Sequence, residues 1–483
     1  MKFPRTALLL ASLTIVGLTV PAYASGAPVW QNARGLSLPA GSTSVANGYL
    51  PYLACPSAGN CVAGGASNSA AGNSQGLLLN EVGGVWRSPT TIVAPANAVA
   101  KYGVTLSGLA CGAVGRCSAV GTYFNAAFNQ LSFIADEVGT RWNIAREVVL
   151  PANASPSSQS GGIHSIACTS AGDCSAVGTY VVGTGPSIQS EGFVVDEVNG
   201  AWSNATEVRL PVLTTANPYV TLDQVACAGT GYCSAVGSFI DTSNVTHAIV
   251  VNQVARTWHA AAILALPANA SAFAGATASE VTCISAGNCS ATGTYNAAGS
   301  GVQALVANET NGAWSRAKEL QMPANAAANP QALLFGFQGI TCASVGNCTT
   351  GGQYIDKTGN FQGFLANEVN ARWQAATQLN LPAGATQASH NGGVVSVSCT
   401  SPGTCSAGAA YLDSAGDYQA MIATETNNTW GAGAKLVLPP ASSGVGIGGG
   451  VYALVCQRNA SCEAIGSYLN SASNYEAFAT SAP

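Results

Sequence analysis

Charged side chains are scarce. Lys and Arg number 16 and Asp and Glu 21 in 483 residues, or 8%, against about 25% in a typical soluble domain. The net charge of −5 is spread without a basic patch or stripe, which argues against nucleic acid as a partner. Beyond the amino-terminal segment no run is apolar enough to cross a membrane. No stretch carries a helical period, and no histidine accompanies the cysteine pairs as a zinc site would require. Disorder is excluded as well, because 48% of residues are apolar and recur periodically.

Met1 to Ala24 reads as a secretory signal peptide. Lys2 and Arg5 open it, Ala7 to Val20 is apolar, and Ala22-Tyr23-Ala24 is a small-x-small cleavage site. No cysteine follows that site, which argues against a lipoprotein. The expected mature chain, residues 25–483, is therefore exported to a compartment where disulfides persist.

What is abundant is repetition. All sixteen cysteines fall into Cys-x5-Cys pairs: Cys55/Cys61, Cys111/Cys117, Cys168/Cys174, Cys227/Cys233, Cys283/Cys289, Cys342/Cys348, Cys399/Cys405 and Cys456/Cys462. The first cysteines are 56 to 59 residues apart. All eight tryptophans travel with them: Trp30, Trp86, Trp142, Trp202, Trp258, Trp314, Trp373 and Trp430, each followed nine residues later by proline. Five residues before seven of them stands Glu81, Glu137, Glu197, Gln253, Glu309, Glu368 or Glu425. Self-similarity at this period points to a solenoid, propeller or array.

Each unit holds four strand-like runs. In the third these are Gly162 to Cys168 (a), Cys174 to Val182 (b), Gly192 to Val198 (c) and Trp202 to Leu210 (d), rich in β-branched and aromatic residues. The residue two before each first cysteine is always aliphatic between smaller or polar neighbours, a strand period. The mature chain opens on a run d at Trp30, and the last unit stops inside run c, so residues 28–39 can complete the sheet begun at Cys456. The expected fold is all-β: a single-domain, eight-bladed β-propeller of four-stranded antiparallel blades. Its ring is closed by strand exchange between the termini, leaving no free edge.

Glu197-Val-Asn-Gly-Ala-Trp202 and Glu309-Thr-Asn-Gly-Ala-Trp314 resemble the turn-plus-tryptophan element of the Asp-box propellers, the sialidase-like superfamily. An Asp-box reads Ser/Thr-x-Asp-x-Gly-x-x-Trp; here the element begins with Glu. The chain is also similar to secreted bacterial repeat proteins with a Cys-x5-Cys hairpin. Both resemblances imply a propeller.

Within each pair, a disulfide that staples the a–b hairpin is the expected role. Closing so short a loop adds roughly 2 kcal/mol. Gly59, Gly115, Gly172, Gly231, Gly287, Gly346 and Gly403 supply the positive φ of the turn, with Ala460 in the eighth. Each Trp is expected to pack between sheets, and each Glu to serve donors of the c–d turn. Eight copies of a group mark scaffold, so function belongs where the units differ. Antiparallel geometry places turns a–b and c–d on one rim and the dissimilar b–c and d–a loops on the other.

The fourth residue before each first cysteine should ring the channel entrance: Pro51, Ser107, His164, Asp223, Ser279, Gln338, Val395 and Tyr452. His164, Asp223, Gln338 and Tyr452, with Glu280 one place deeper, are the candidate ligand-binding residues. No cofactor or metal is implied. Asp356-Lys-Thr-Gly359 and Asp413-Ser-Ala-Gly416 read as hairpin turns rather than calcium loops. The resulting expectation is a secreted, monomeric binding module for an extracellular glycan or protein. The alternatives are a glycoside-processing enzyme at the channel entrance and a structural envelope protein. Sialidase chemistry is disfavoured, since no arginine falls on run a or the variable rim to clamp a carboxylate.

Overall fold

The computed structural model describes residues 28–483 apart from 46–49, 156–160, 184–187, 212–218, 272–274, 333–338, 387–392, 441–448 and 459–460. Residues 1–24, expected to be a signal peptide, and also Gln338 and Ala460 lie outside the described residues. Those that are described form β-strands and turns with no helix. In the third unit strand a is Gly162–Ser170, b is Asp173–Val182 and c is Gln189–Val198, paired antiparallel in that order. Strand d is broken into two short rungs, Ala201–Trp202 and Thr206–Glu207, both on strand c. The same a-b-c-d order recurs through the chain.

All eight cysteine pairs are disulfide-bonded, and no free cysteine remains. The hairpin they staple is tied to its own c–d turn. In seven units an amide of that turn donates to the carbonyl of the a–b turn glycine, from Gly84 on Gly59 to Asn428 on Gly403, at 2.8 to 3.1 Å. Gly172 shows why glycine is needed there. Its φ is +79°, and a Cβ would lie 2.7 Å from the amide nitrogen of Gly200.

The expected hairpin staples also touch the neighbouring sheet at Cys233, Cys289, Cys348 and Cys405. These second cysteines are buried, and their sulfurs reach the preceding sheet. Cys233 Sγ lies 3.6 Å from Ser175 Oγ, and Cys289 Sγ lies 3.4 Å from Ser234 Oγ. Cys348 Sγ lies 3.4 Å from Ser290 Oγ, and Cys405 Sγ lies 3.4 Å from Thr349 Oγ1. A disulfide sulfur carries no hydrogen, so in each contact it is the hydroxyl that can donate. The physical reason is strand alternation. The second cysteine opens strand b with its side chain towards the joint between sheets, opposite the hydroxyl residue that follows the preceding sheet's own second cysteine.

Successive sheets are also joined by a contact absent from the sequence reading, through the residue just before each marker glutamate. Trp142, Trp202, Trp258, Trp314 and Trp430 donate Nε1–H to Asn80, Asp136, Asp196, Asn252 and Asn367 of the preceding sheet at 3.0 to 3.3 Å. The glutamates reach across the same boundary rather than to the c–d turn. Glu137, Glu309, Glu368 and Glu425 accept the side-chain amides of Asn80, Asn252, Asn308 and Asn367. Charges at these junctions are matched. Where the asparagine is replaced by Asp196, the facing glutamate is replaced by Gln253, which donates to it at 3.1 Å. Where Thr424 and Ala482 hold the two places, neither carries charge. The exception is Asp136 facing Glu197, where Arg146 sits 3.7 Å from Asp136.

The amino-terminal segment obeys the same pattern. Arg34–Leu36 pairs antiparallel with Ala477–Ala479. Gln31 donates to the carbonyl of Ser481, as Ser203 does to Asp196, and Ala33 donates to Val437, as Ala205 does to Val149. Strand a of the first unit, Tyr52–Ser57, packs against strand a of the last, Gly449–Cys456. At that junction Trp86 Nε1–H donates to Glu463 at 3.2 Å, and Arg34 bridges Glu81 at 3.0 Å.

These junction carboxyls make stability depend on pH. Burial pushes Glu137, Glu197 and Glu425 up to about 7 and Glu463 to about 8, from an ordinary 4.5. The folded chain then holds protons that the unfolded chain has released, so stability falls as pH rises from about 4.5 to about 8. The turn aspartates Asp356 and Asp413 are shifted down, so their contribution is lost only as pH falls below the ordinary 3.8. Thermal scans should therefore place the highest Tm near pH 4.5 to 5, declining towards pH 8, with a shallower decline in Glu197→Gln. A Tm that rises between pH 5 and 8 would contradict the assignment.

Candidate functional site

Strands a share an irregularity. Register shifts fall between Leu106 and Gly108, Ile163 and Ser165, Leu222 and Gln224, Ala278 and Glu280, Val394 and Ser396, and Val451 and Ala453. The bulged residues are Ser107, His164, Asp223, Ser279, Val395 and Tyr452, each four before its first cysteine. A bulge leaves its residue out of the ladder and re-aims the side chain. Five members of the expected ring, Pro51, Ser107, His164, Asp223 and Ser279, line a single cavity of about 390 Å³.

Side chains here bridge sheet to sheet. Tyr52 donates its hydroxyl to the carbonyl of Leu106 at 3.3 Å, Ser107 to that of Ile163, and His164 Nδ1 to that of Leu222 at 2.7 Å. The acceptor is each time the residue just ahead of the next bulge. A carbonyl only accepts, so Nδ1 carries the proton and Nε2 of a neutral His164 is left as an acceptor. One layer deeper, Ser165 accepts the amide of Val225 at 3.2 Å and Gln224 that of Val281 at 2.5 Å.

Asp223 is half-buried and makes no side-chain hydrogen bond among the described residues. Burial raises its pKa to about 6, with the charge of His164 acting against that rise. Glu280 is placed elsewhere. It is 3% exposed, does not line the cavity, accepts from Thr292 Oγ1 at 3.4 Å and from the Gly339 amide, and is pushed up to about 8 by burial. A Cβ on Gly339 would lie 2.4 Å from both its carboxylate oxygens, so this glutamate is built into the joint between the fifth and sixth sheets. Tyr452 occupies the last bulge, half-buried over Gly450, and is not in the cavity wall.

Two further clefts lie on the cassette rim. One of about 320 Å³ opens between the second and third sheets beside Asp136 and Glu197, and one of about 280 Å³ beside Arg34, Glu81 and Glu463. Their walls are the repeated turn and junction groups. The acidic turns are self-contained: Asp356 Oδ1 accepts from the amides of Thr358 and Asn360 and Oδ2 from Gln362, and Asp413 repeats the pattern with Ala415, Asp417 and Gln419. Among the described residues no group of three or more His, Cys, Asp or Glu is placed to hold a metal ion.

No family model and no curated protein matches the chain. Solved structures similar to it include a Mycobacterium tuberculosis puromycin-hydrolyzing peptidase (10% identity, TM-score 0.46, 91% of this chain and 61% of the peptidase). A subtype N11 neuraminidase-like protein of an influenza virus from a flat-faced bat is 9% identical, with TM-score 0.37 over 94% of this chain and 97% of its own. A PL25 ulvan lyase is 10% identical, with TM-score 0.40 over 74% and 89%. The chain thus spans less than two thirds of the peptidase. Overlaps this loose assign no activity.

The electrostatic coupling can be read directly. His164→Ala removes the side chain whose charge, when present, opposes the upward shift of Asp223, so the Asp223 titration should move above about 6 in carbon-detected NMR. A midpoint that stays or falls would show that the two side chains do not sense each other.

Proposed function

We propose that the chain is a secreted eight-bladed β-propeller that binds an extracellular glycan or protein through its variable rim, with its site at the channel entrance. The carrying observation is the cavity of about 390 Å³ in whose wall the bulged positions set His164 beside Asp223. Its lining offers hydroxyl, imidazole, carboxylate and amide groups on a rigid sheet frame, which suits a hydroxyl-rich ligand and limits the cost of ordering. Ring closure is supported by the pairing of Arg34–Leu36 with the last sheet and by the packing of the first and last strands a. Export is supported by the signal-like sequence of residues 1–24 and accords with eight disulfides. The reading is of a monomer working without a cofactor.

Glycoside hydrolysis fits less well. Two carboxyls must flank the scissile bond, and among the described residues Asp223 is the only acid in the cavity wall. Gln338 and Tyr452 stay in the proposal as further members of the ring, and Glu280 as its buried support.

A glycan array probed with residues 25–483 tests the reading. Binding should weaken about tenfold or more in His164→Ala and Asp223→Ala, the loss of one or two hydrogen bonds to a charged or polar group. Turnover of a glycoside abolished by Asp223→Asn would replace binding with catalysis. Glycan binding indifferent to both substitutions would move the site away from the channel.

A further inference from the structure

Among the described residues, five b–c turns share one backbone shape. The fourth residue has positive φ and donates its amide to the carbonyl of the first: Gly72 to Ser69, Asn244 to Asp241, Gly359 to Asp356, Gly416 to Asp413 and Ser473 to Asn470. Four of these five are Gly or Asn, residues that tolerate the left-handed region. In the second unit the place is held by Phe128, with φ 62° and the same bond to Asn125 at 2.9 Å. A bulky residue there is strained, and strain maintained at one member of a repeated set points to a use.

Phe128 is also 68% exposed, so no core packing offsets the strain. Its ring lies 6.0 Å from that of Tyr102 at 68°, and Tyr102 lies 5.6 Å from Phe124 at 61°. Tyr102 and Phe124 are 40% and 37% exposed. The frame beneath is fixed: Asn125 Oδ1 accepts the amides of Ala127 and Asn129, and the Val99 amide donates to Phe124 at 2.8 Å. Gly103 is pressed so close to Ser74 that a Cβ would lie 1.8 Å from its carbonyl oxygen. Lys101 Nζ stands 5.7 Å from the Tyr102 ring and has no ion-pair partner among the described residues.

We propose that Tyr102, Phe124, Phe128 and Lys101 form a second binding site, which takes a pyranose ring bearing a carboxylate or sulfate. This rests on the variable rim being the binding face. The apolar C–H face of a sugar stacks on an aromatic ring, whose face is electron-rich, and the unpaired ammonium meets the anionic substituent. Area favours a saccharide over a protein. Three rings this exposed offer roughly 300 Å² between them, enough for one or two sugar rings but far below the ~800 Å² per partner of a stable protein interface.

Affinity electrophoresis through gels containing polygalacturonate, dextran sulfate or uncharged dextran tests it. Because the chain carries a net charge of −5, retardation by a polyanion is not a bulk charge effect. The wild type should be retarded by at least one of the anionic polymers and not by dextran. Phe128→Gly and Lys101→Gln should each weaken retardation about tenfold or more, while Phe128→Gly raises Tm by relieving the turn. No retardation of the wild type by either anionic polymer overturns the proposal. So does a Phe128→Gly protein that binds as before, or one with lowered Tm, which would make the ring a structural plug. Retardation lost in His164→Ala but kept in Phe128→Gly refutes the aromatic site and leaves the channel entrance standing.

Discussion

At five junctions a hydrogen bond from the indole of one sheet to an Asn or Asp of the sheet before it ties the two together, and Trp86 makes the same reach to Glu463 of the last unit. The donor lies on the short strand d and the acceptor on the preceding strand c, so at those five junctions the two sheets are held at the same height. The facing glutamate then takes the amide of that asparagine. Burying such groups without partners would cost a few kcal/mol each, and at three junctions the facing residues differ together. Asp196 meets Gln253 at 3.1 Å, Thr424 faces Ala482, and Asp136 opposite Glu197 draws in Arg146.

The disulfides serve first within the sheet. Each closes one hairpin, and in seven units the glycine of that hairpin accepts the c–d turn, so the cassette rim repeats closely from unit to unit. Their buried sulfurs also fill the joint, where Cys233, Cys289, Cys348 and Cys405 meet hydroxyls of the sheet before. The opposite ends of the strands are freed to differ. The bulges four residues before the first cysteines exploit that freedom, turning Ser107, His164 and Asp223 towards a common cavity, with Ser107 and His164 also bonded to the next sheet.

Much of the frame was legible in the sequence because its determinants are local and repeated: the cysteine spacing, the glycine of the turn, the tryptophan opening strand d. The expected ring positions coincide with the bulges, and five share one cavity. Other features were hidden for identifiable reasons. The pairing of the cysteines follows from their spacing, but the contact of Cys233 with Ser175 depends on how two sheets stack. The residue before each marker Glu or Gln is Asn, Asp or Thr with no regular order, so its meaning emerges only when matched to the next unit. Glu280 lies one place deeper than the bulges, but strand periodicity does not say that its carboxylate turns to Gly339 rather than to the cavity beside Asp223. Phe128 reads as an ordinary loop residue until the positive φ of its turn is known.

The central claim is that the amino-terminal segment belongs to the last sheet and joins first unit to last. A circular permutant tests it most directly: a chain starting at residue 50, with residues 25–49 attached after Pro483 through a short glycine linker. If Arg34–Leu36 is the outer strand against Ala477–Ala479, the permutant keeps all its units and should melt within a few degrees of the parent, while deletion of residues 25–38 should lower Tm substantially. A permutant that fails to fold, or a deletion that melts like the parent, would contradict the account.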